Sequence, residues 1–393
     1  MTSKLKSGLL AATALLALAG CGGGGDGGIS GTGIMRLSLT DAPSCGYDHV
    51  YLTVDRVRVH KNSTAVDADS GWSEVKLTSP RRIDLLGLTN GVLDDLGQTP
   101  LPAGKYTQMR LLLAPNTGSG ANALANAITP TGGAEVALTT PSGQQSGIKL
   151  NVDMDVAAGT VADFAIDFDA CKSIVRRGNS GQYNLKPVVS VIPVVSNAGM
   201  RVVGYVDPTL ALTSTNVSVQ TSGLPVKATV PDSTTGKFEL YPVPAGTYDL
   251  VVTAAGHVTA VMTGVPVVTS SVTYINSATT KIITPTATFR SVNGTVNPAT
   301  TTIRALQLLT GGPTIEVAWG LVDDSVTPAT FTFSLPIEAP VKTSYVANPT
   351  NISFASDSTA AGHYTLESSS GGVLKTQLID ASATVPAVTI TYP

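Results

Sequence analysis

Gly236-Lys237-Phe238-Glu239-Leu240-Tyr241-Pro242-Val243-Pro244-Ala245-Gly246-Thr247-Tyr248-Asp249-Leu250 shows in miniature how this chain is built. Phe238 and Leu240 alternate with Lys237 and Glu239, the period of two expected of a strand with one buried face. Pro244-Ala245-Gly246 is a turn signal, and Tyr248, Leu250 and Val252 resume the alternation as a return strand. Short runs of this kind, bounded by Gly, Pro, Asn, Asp and Ser, recur along the chain. The expectation is an all-β protein of tandem β-sandwich domains.

Composition agrees with that reading. Only 13% of the 393 residues are charged and 5% aromatic, whereas Gly (39) and Pro (24) abound, as in many short strands joined by turns. The formal net charge is −3 and no basic run occurs, which argues against a nucleic-acid partner. At about 100–200 residues per domain, the length accommodates two or three domains.

On the N-terminal side, residues 34–195 read as one β-rich domain. Met35, Leu37 and Leu39 share a face, and Val50, Leu52 and Val54 begin a second strand. Val57 and Val59 then fall on the opposite parity, which predicts a β-bulge near Asp55-Arg56. Val92, Leu93 and Leu96, with Asn90 as N-cap and Gly97 as stop, predict the domain's one short helix. Thr107, Met109, Leu111 and Leu113 alternate again, and residues 114–135, aperiodic and rich in small residues, are expected to form a long surface loop or lid. In the last long strand Phe164, Ile166 and Phe168 face inward, leaving Asp163, Asp167 and Asp169 on an acidic outer face. On the C-terminal side, residues 285–393 read as a diverged repeat of residues 200–276. Val292-Asn293-Gly294 echoes Val202-Val203-Gly204, and Phe333, Leu335, Pro340 and Tyr345 echo Phe238, Leu240, Pro244 and Tyr248.

Residues 1–20 have the form of a cleaved signal peptide. Lys4 and Lys6 precede an apolar run of about ten residues, too short to span a bilayer. The run ends in Leu18-Ala19-Gly20-Cys21, which resembles the processing box of bacterial lipoproteins. That resemblance implies lipidation of Cys21, palmitate among the acyl chains, and anchoring to a membrane, with residues 21–33 as a Gly-rich tether. Gly22 rather than Asp after the Cys implies the outer membrane, on its periplasmic or cell-surface face. Lipidation leaves Cys45 and Cys171 as an even pair in an oxidising compartment. A disulfide between them would stabilise by about 4–5 kcal/mol on the chain-entropy model.

Several motifs carry a further resemblance. Leu39-Thr40-Asp41-Ala42-Pro43, Val54-Asp55-Arg56-Val57-Arg58-Val59-His60, Leu101-Pro102-Ala103-Gly104-Lys105-Tyr106 and Asp167-Phe168-Asp169-Ala170-Cys171-Lys172-Ser173 resemble the bacterial lipoprotein family called domain of unknown function 4382. The resemblance implies lipid-anchored proteins joined to small β-sandwich modules, and no activity. Val203-Gly204-Tyr205-Val206 with residues 236–250 resembles carboxypeptidase regulatory-like modules, whose Ig-like or transthyretin-like sandwiches do not catalyse.

Catalytic groupings are sparse. His49, His60, His257 and His363 form neither HExxH nor a close metal pair, and no G-x-S-x-G occurs. Asp41, His60, Asp163, Asp167 and Asp169 are the candidate ligands for a hard cation such as Ca²⁺; the competing reading is a solvated strand face. Trp319 shares alternation with Ile315, Val317 and Leu321, which predicts core packing, while Trp72 is a candidate sugar platform or a half-buried residue. The functional expectation is a lipid-anchored cell-envelope protein with a non-catalytic binding, scaffolding or adhesion role, no resident cofactor, and an envelope protein or glycan as partner. The alternative is a glycan-active or other hydrolase with Asp41, His60 and an Asp of the 163–169 strand in one pocket of the first domain.

Overall fold

A computed structural model describes residues 31–41, 46–120, 123–141, 143–177, 180–211 and 215–393. The leader, Cys21, most of the tether and Cys45 lie outside them. The described residues are all-β, folded into six sheets.

The sheets pair into three sandwiches with one shared plan. In each, the first strand pairs antiparallel with the fourth and parallel with the seventh. In the second sheet, the second strand pairs with the third and the fifth, and the fifth with the sixth. These seven strands are Thr32–Asp41, Tyr47–His60, Ser73–Asp84, Asp94–Pro102, Gly104–Leu113, Ile148–Val156 and Val161–Phe168 in the first sandwich. In the second they are Arg201–Tyr205, Asn216–Thr221, Leu224–Thr229, Lys237–Leu240, Gly246–Thr253, Ala260–Val267 and Val272–Tyr274. In the third they are Phe289–Asn297, Thr302–Leu308, Thr314–Gly320, Ala329–Pro336, His363–Ser370, Val373–Asp380 and Val388–Thr391. The first sandwich adds small strands at one end, and Val189–Pro193 extends its first sheet. Each sandwich has its own apolar core.

The passage from the fourth strand to the fifth shows why the chain folds this way. Pro242 and Pro244 cannot donate to a ladder, so Lys237–Leu240 and Gly246–Thr253 do not close as a hairpin. They belong to opposite sheets, and the turn between them is an arch over the core. Tyr248 pins the arch by donating its hydroxyl to the Pro244 carbonyl at 2.9 Å. Tyr106 does the same to Pro102 at 2.8 Å, and Tyr364 to Pro336 at 2.6 Å. The tyrosine of the third sandwich that corresponds to Tyr248 is therefore Tyr364 rather than Tyr345, and residues 337–362 are an insertion in the arch. That insertion crosses to the second sandwich, where Val341–Ser344 pairs in parallel with Ala260–Val267. The phenylalanine match also moves by two residues: Gly204 lies opposite Phe238, and Gly294 opposite Phe331, not Phe333.

The register shift predicted near Asp55-Arg56 is present on both neighbours of the Tyr47–His60 strand. The helix expected at residues 90–97 is not. Short helical turns lie instead at Leu85–Leu88 and Ala170–Ser173, and Asp94–Pro102 is a strand. Leu96 is the extra residue of a bulge opposite Leu37/Ser38 and is turned inward, so Leu93 and Leu96 imitate helical spacing. The expected loop is overturned only at its far end: residues 114–120 and 123–126 form no strand, whereas Ala127–Pro130 pairs with Tyr47–His60, and Ala125 to Ile128 are buried.

Candidate functional site

At Asp167, the acidic strand face expected to meet solvent is covered by the second sandwich. Asp167 is 8% exposed and receives the ammonium of Lys227, whose side chain is 1% exposed. The same ammonium lies 3.4 Å from Thr40 Oγ1 and from the Asp41 carbonyl. Asp41 is buried, and its Oδ1 accepts from the Ala170 amide at 3.0 Å. Asp169 caps the Ala170–Ser173 turn through the Lys172 amide. Asp163 forms a two-bond pair with Arg36, at 2.5 and 2.7 Å.

His60 stands apart from this group, on the other sheet, packed against Trp72 at 5.0 Å and bonded to the Ser70 carbonyl. The pocket required by a hydrolase of Asp41, His60 and an aspartate is thus not assembled by these residues. Among the described residues no three His, Cys, Asp or Glu side chains gather as a metal site. Trp72 is half-buried, with the Arg58 and Arg110 guanidinium groups 4.6 and 4.8 Å from its ring centre, which leaves no open stacking platform.

The third sandwich closes the junction. Glu316, 7% exposed, accepts from Lys172 of the first sandwich at 2.6 Å and from Arg304 at 3.3 Å. Its backbone is clamped by Gln220 of the second sandwich, which accepts from the Glu316 amide at 2.7 Å and donates to its carbonyl at 2.9 Å. Arg304 also reaches Glu367 and the Gly223 carbonyl. Glu316 thereby ties three sandwiches together, its carboxylate holding the first and its backbone the second. Beside it is a cavity of about 430 Å³ lined by Asp169, Lys172, Asn216, Ser218 and Trp319 among others. Trp319 is half-buried at this junction, 5.0 Å from the Lys172 ammonium, rather than in the core. A bulge at Val317 reverses the strand's parity after Ile315.

Asn90 makes a second seam. It adopts a left-handed backbone (φ 55°) that Asn tolerates. Its amide donates to Thr229 Oγ1, and its side-chain oxygen accepts from the Glu239 amide. Cys171 is not a free thiol.

Burial holds the Asp41 carboxyl well above its ordinary value, opposed by the Ala170 amide, while Asp169 and Asp167 nearby push in the same direction as burial. Asp167 and Asp169 are raised too, chiefly by burial, with Lys227 and Lys172 opposing. A carboxyl raised by folding keeps its proton in the folded state over a range where the unfolded chain has lost it. Stability therefore falls as pH rises through that range and stays low above it, by up to about 1.4 kcal/mol per pH unit for each group. Asp41→Asn keeps an acceptor for Ala170 and cannot ionise. Urea midpoints measured from about pH 4 to 7 are expected to fall less steeply for this variant than for the native chain; equal slopes would remove Asp41 from the account.

Residues 32–187 match the family model described as domain of unknown function 4382. No curated protein matches the chain. Among solved structures, it is similar to a chain of a type II cohesin–X-dockerin complex from Acetivibrio cellulolyticus carrying an N-terminal interface mutation. That likeness has 25% identity, covers 23% of this chain and 59% of the other, and has a TM-score of 0.20. The complex with a C-terminal interface mutation gives 27% identity at the same coverage and TM-score. The chain thus spans about three-fifths of those chains.

Proposed function

We propose that this chain is a lipid-anchored cell-envelope protein whose three fused sandwiches serve as a non-catalytic body for binding, scaffolding or adhesion at the outer membrane. The observation that carries the reading is the junction at Glu316 and Lys227. The buried charged groups, which in an enzyme would face a substrate, are here engaged in holding sandwich to sandwich. Such pairs add little net stability but fix one arrangement of the parts. The anchor rests on the Leu18-Ala19-Gly20-Cys21 sequence, and the pairing of Cys171 with Cys45 on their being the two cysteines left after lipidation.

Crosslinking in intact cells, followed by identification of neighbours, tests the role: a reproducible envelope protein or glycan neighbour is expected, and none would refute it. Mass spectrometry of the chain recovered from membranes tests the rest. It is expected to find an acylated peptide beginning at Cys21 and a peptide joining Cys45 to Cys171; an unmodified Cys21, or Cys171 joined elsewhere, would overturn the corresponding assignment.

A further inference from the structure

The sixth strand is the last of each sandwich's own seven strands in the second sheet, and its outer edge is treated in three ways. In the first sandwich Ile148–Val156 carries Lys149, Asp153 and Asp155, charges that discourage pairing at an edge. In the second, the edge of Ala260–Val267 is covered by Val341–Ser344. In the third, Val373–Asp380 pairs with His363–Ser370 on one side and with no strand of the described residues on the other. Its outward face carries Leu374 (58% exposed), Thr376 and Leu378 (82%), continued by Leu308 (65%). Its one cation, Lys375, is directed to the Thr391 carbonyl at 2.5 Å and lies 4.9 Å from the centre of the Tyr392 ring.

We propose that Val373–Asp380 pairs antiparallel with the same strand of a second copy, about a two-fold axis at Thr376, joining the two outer sheets into one. The sequence of the strand argues for this occupant. A two-fold axis perpendicular to a sheet sets residues of like parity opposite one another, so an apolar face meets itself. With Thr376 on the axis, Leu374 lies opposite Leu378 of the second copy, Leu378 opposite its Leu374, and Thr376 opposite Thr376. On the other face Lys375 meets Gln377, so no like charges are opposed. The ladder supplies affinity and the leucine pairs supply register, the mode by which an exposed edge accepts an extended strand. The pairing involves neither the tether nor the three-sandwich junction, so it stands or falls independently of the proposed function.

The test uses the full chain in detergent, with micelles in excess over protein so that a shared micelle does not bring copies together. Sedimentation velocity is expected to show a concentration-dependent species of twice the monomer mass, and Leu378→Asp to weaken it about tenfold or more through its two symmetric contacts. Because Leu378 is so exposed, this variant is expected to keep its melting temperature. On oxidation, Thr376→Cys is expected to give a dimer on a non-reducing gel, while Leu374→Cys alone, which faces Leu378, does not. A chain that stays monomeric, a dimer unaffected by Leu378→Asp, or equal crosslinking by Leu374→Cys would overturn the pairing. So would capture of a different protein by Thr376→Cys in cells, which would assign the edge to that partner.

Discussion

Lys227→Ala is expected to cost about 3–5 kcal/mol, the usual consequence of removing one member of a buried ion pair. The magnitude follows from what is left behind. Asp167 keeps its place under the second sandwich, with Asp41 beside it and no ammonium to offset the loss of water. Lys227→Met, which retains most of the stem, is expected to lose nearly as much, because the missing charge matters more than the missing methylenes. Pairing Lys227→Met with Asp167→Leu is expected to recover most of the loss, since an apolar pair of similar volume often replaces a buried ion pair without penalty. Urea unfolding of the four chains completes a double-mutant cycle. A single-variant loss below about 1 kcal/mol would place the pair with ordinary surface ion pairs and remove it as a fastening between sandwiches.

Phe238→Ala is expected to have an effect of similar size, about 3–5 kcal/mol, for a different reason. The fully buried ring of Phe238 lies over Gly204, so closely that a Cβ there would stand 2.4 Å from Cζ. Phe331 lies over Gly294 in the same manner, at 2.3 Å. Removing either ring empties the space between the sheets, and the glycine has no side chain with which to fill it. The converse change, Gly204→Ala, forces the ring off its position and is expected to cost about 1–3 kcal/mol. Combining Gly204→Ala with Phe238→Leu is expected to be milder than the sum, because the smaller side chain admits the new methyl group. Additive losses in thermal or urea unfolding would show that the ring and the glycine are not coupled.

Strands whose burial follows from their own sandwich were legible in the sequence. The alternation of Met35, Leu37 and Leu39, that of Phe238 and Leu240, and the phase change at Asp55-Arg56 all report packing between two sheets of one sandwich. The failures have three physical causes. Bulged residues shift the period: Leu96 imitated a helix, and Val317 moved Trp319 out of the expected core. Docking between sandwiches buries groups that local alternation marks as exposed. Asp167 looked solvated because Lys227 lies 60 residues farther on, and Glu316 meets Lys172 across 144. One signal was available in the composition of the strands themselves: Lys227 and Glu316 each stand within apolar runs, where a charge requires a partner. The Tyr364 arch was missed because the insertion displaced it from its expected spacing.

That insertion also sets a schedule for the newborn polypeptide. The edge of Ala260–Val267 in the second sandwich takes its neighbour from Val341–Ser344, which is made only after the first strands of the third sandwich. Until then the apolar edge at Val261 and Met262 stays uncovered, a long-range closure of the slow kind that invites wrong pairings. The second and third sandwiches therefore mature as a couple, because this edge stays open until residues 341–344 have been made.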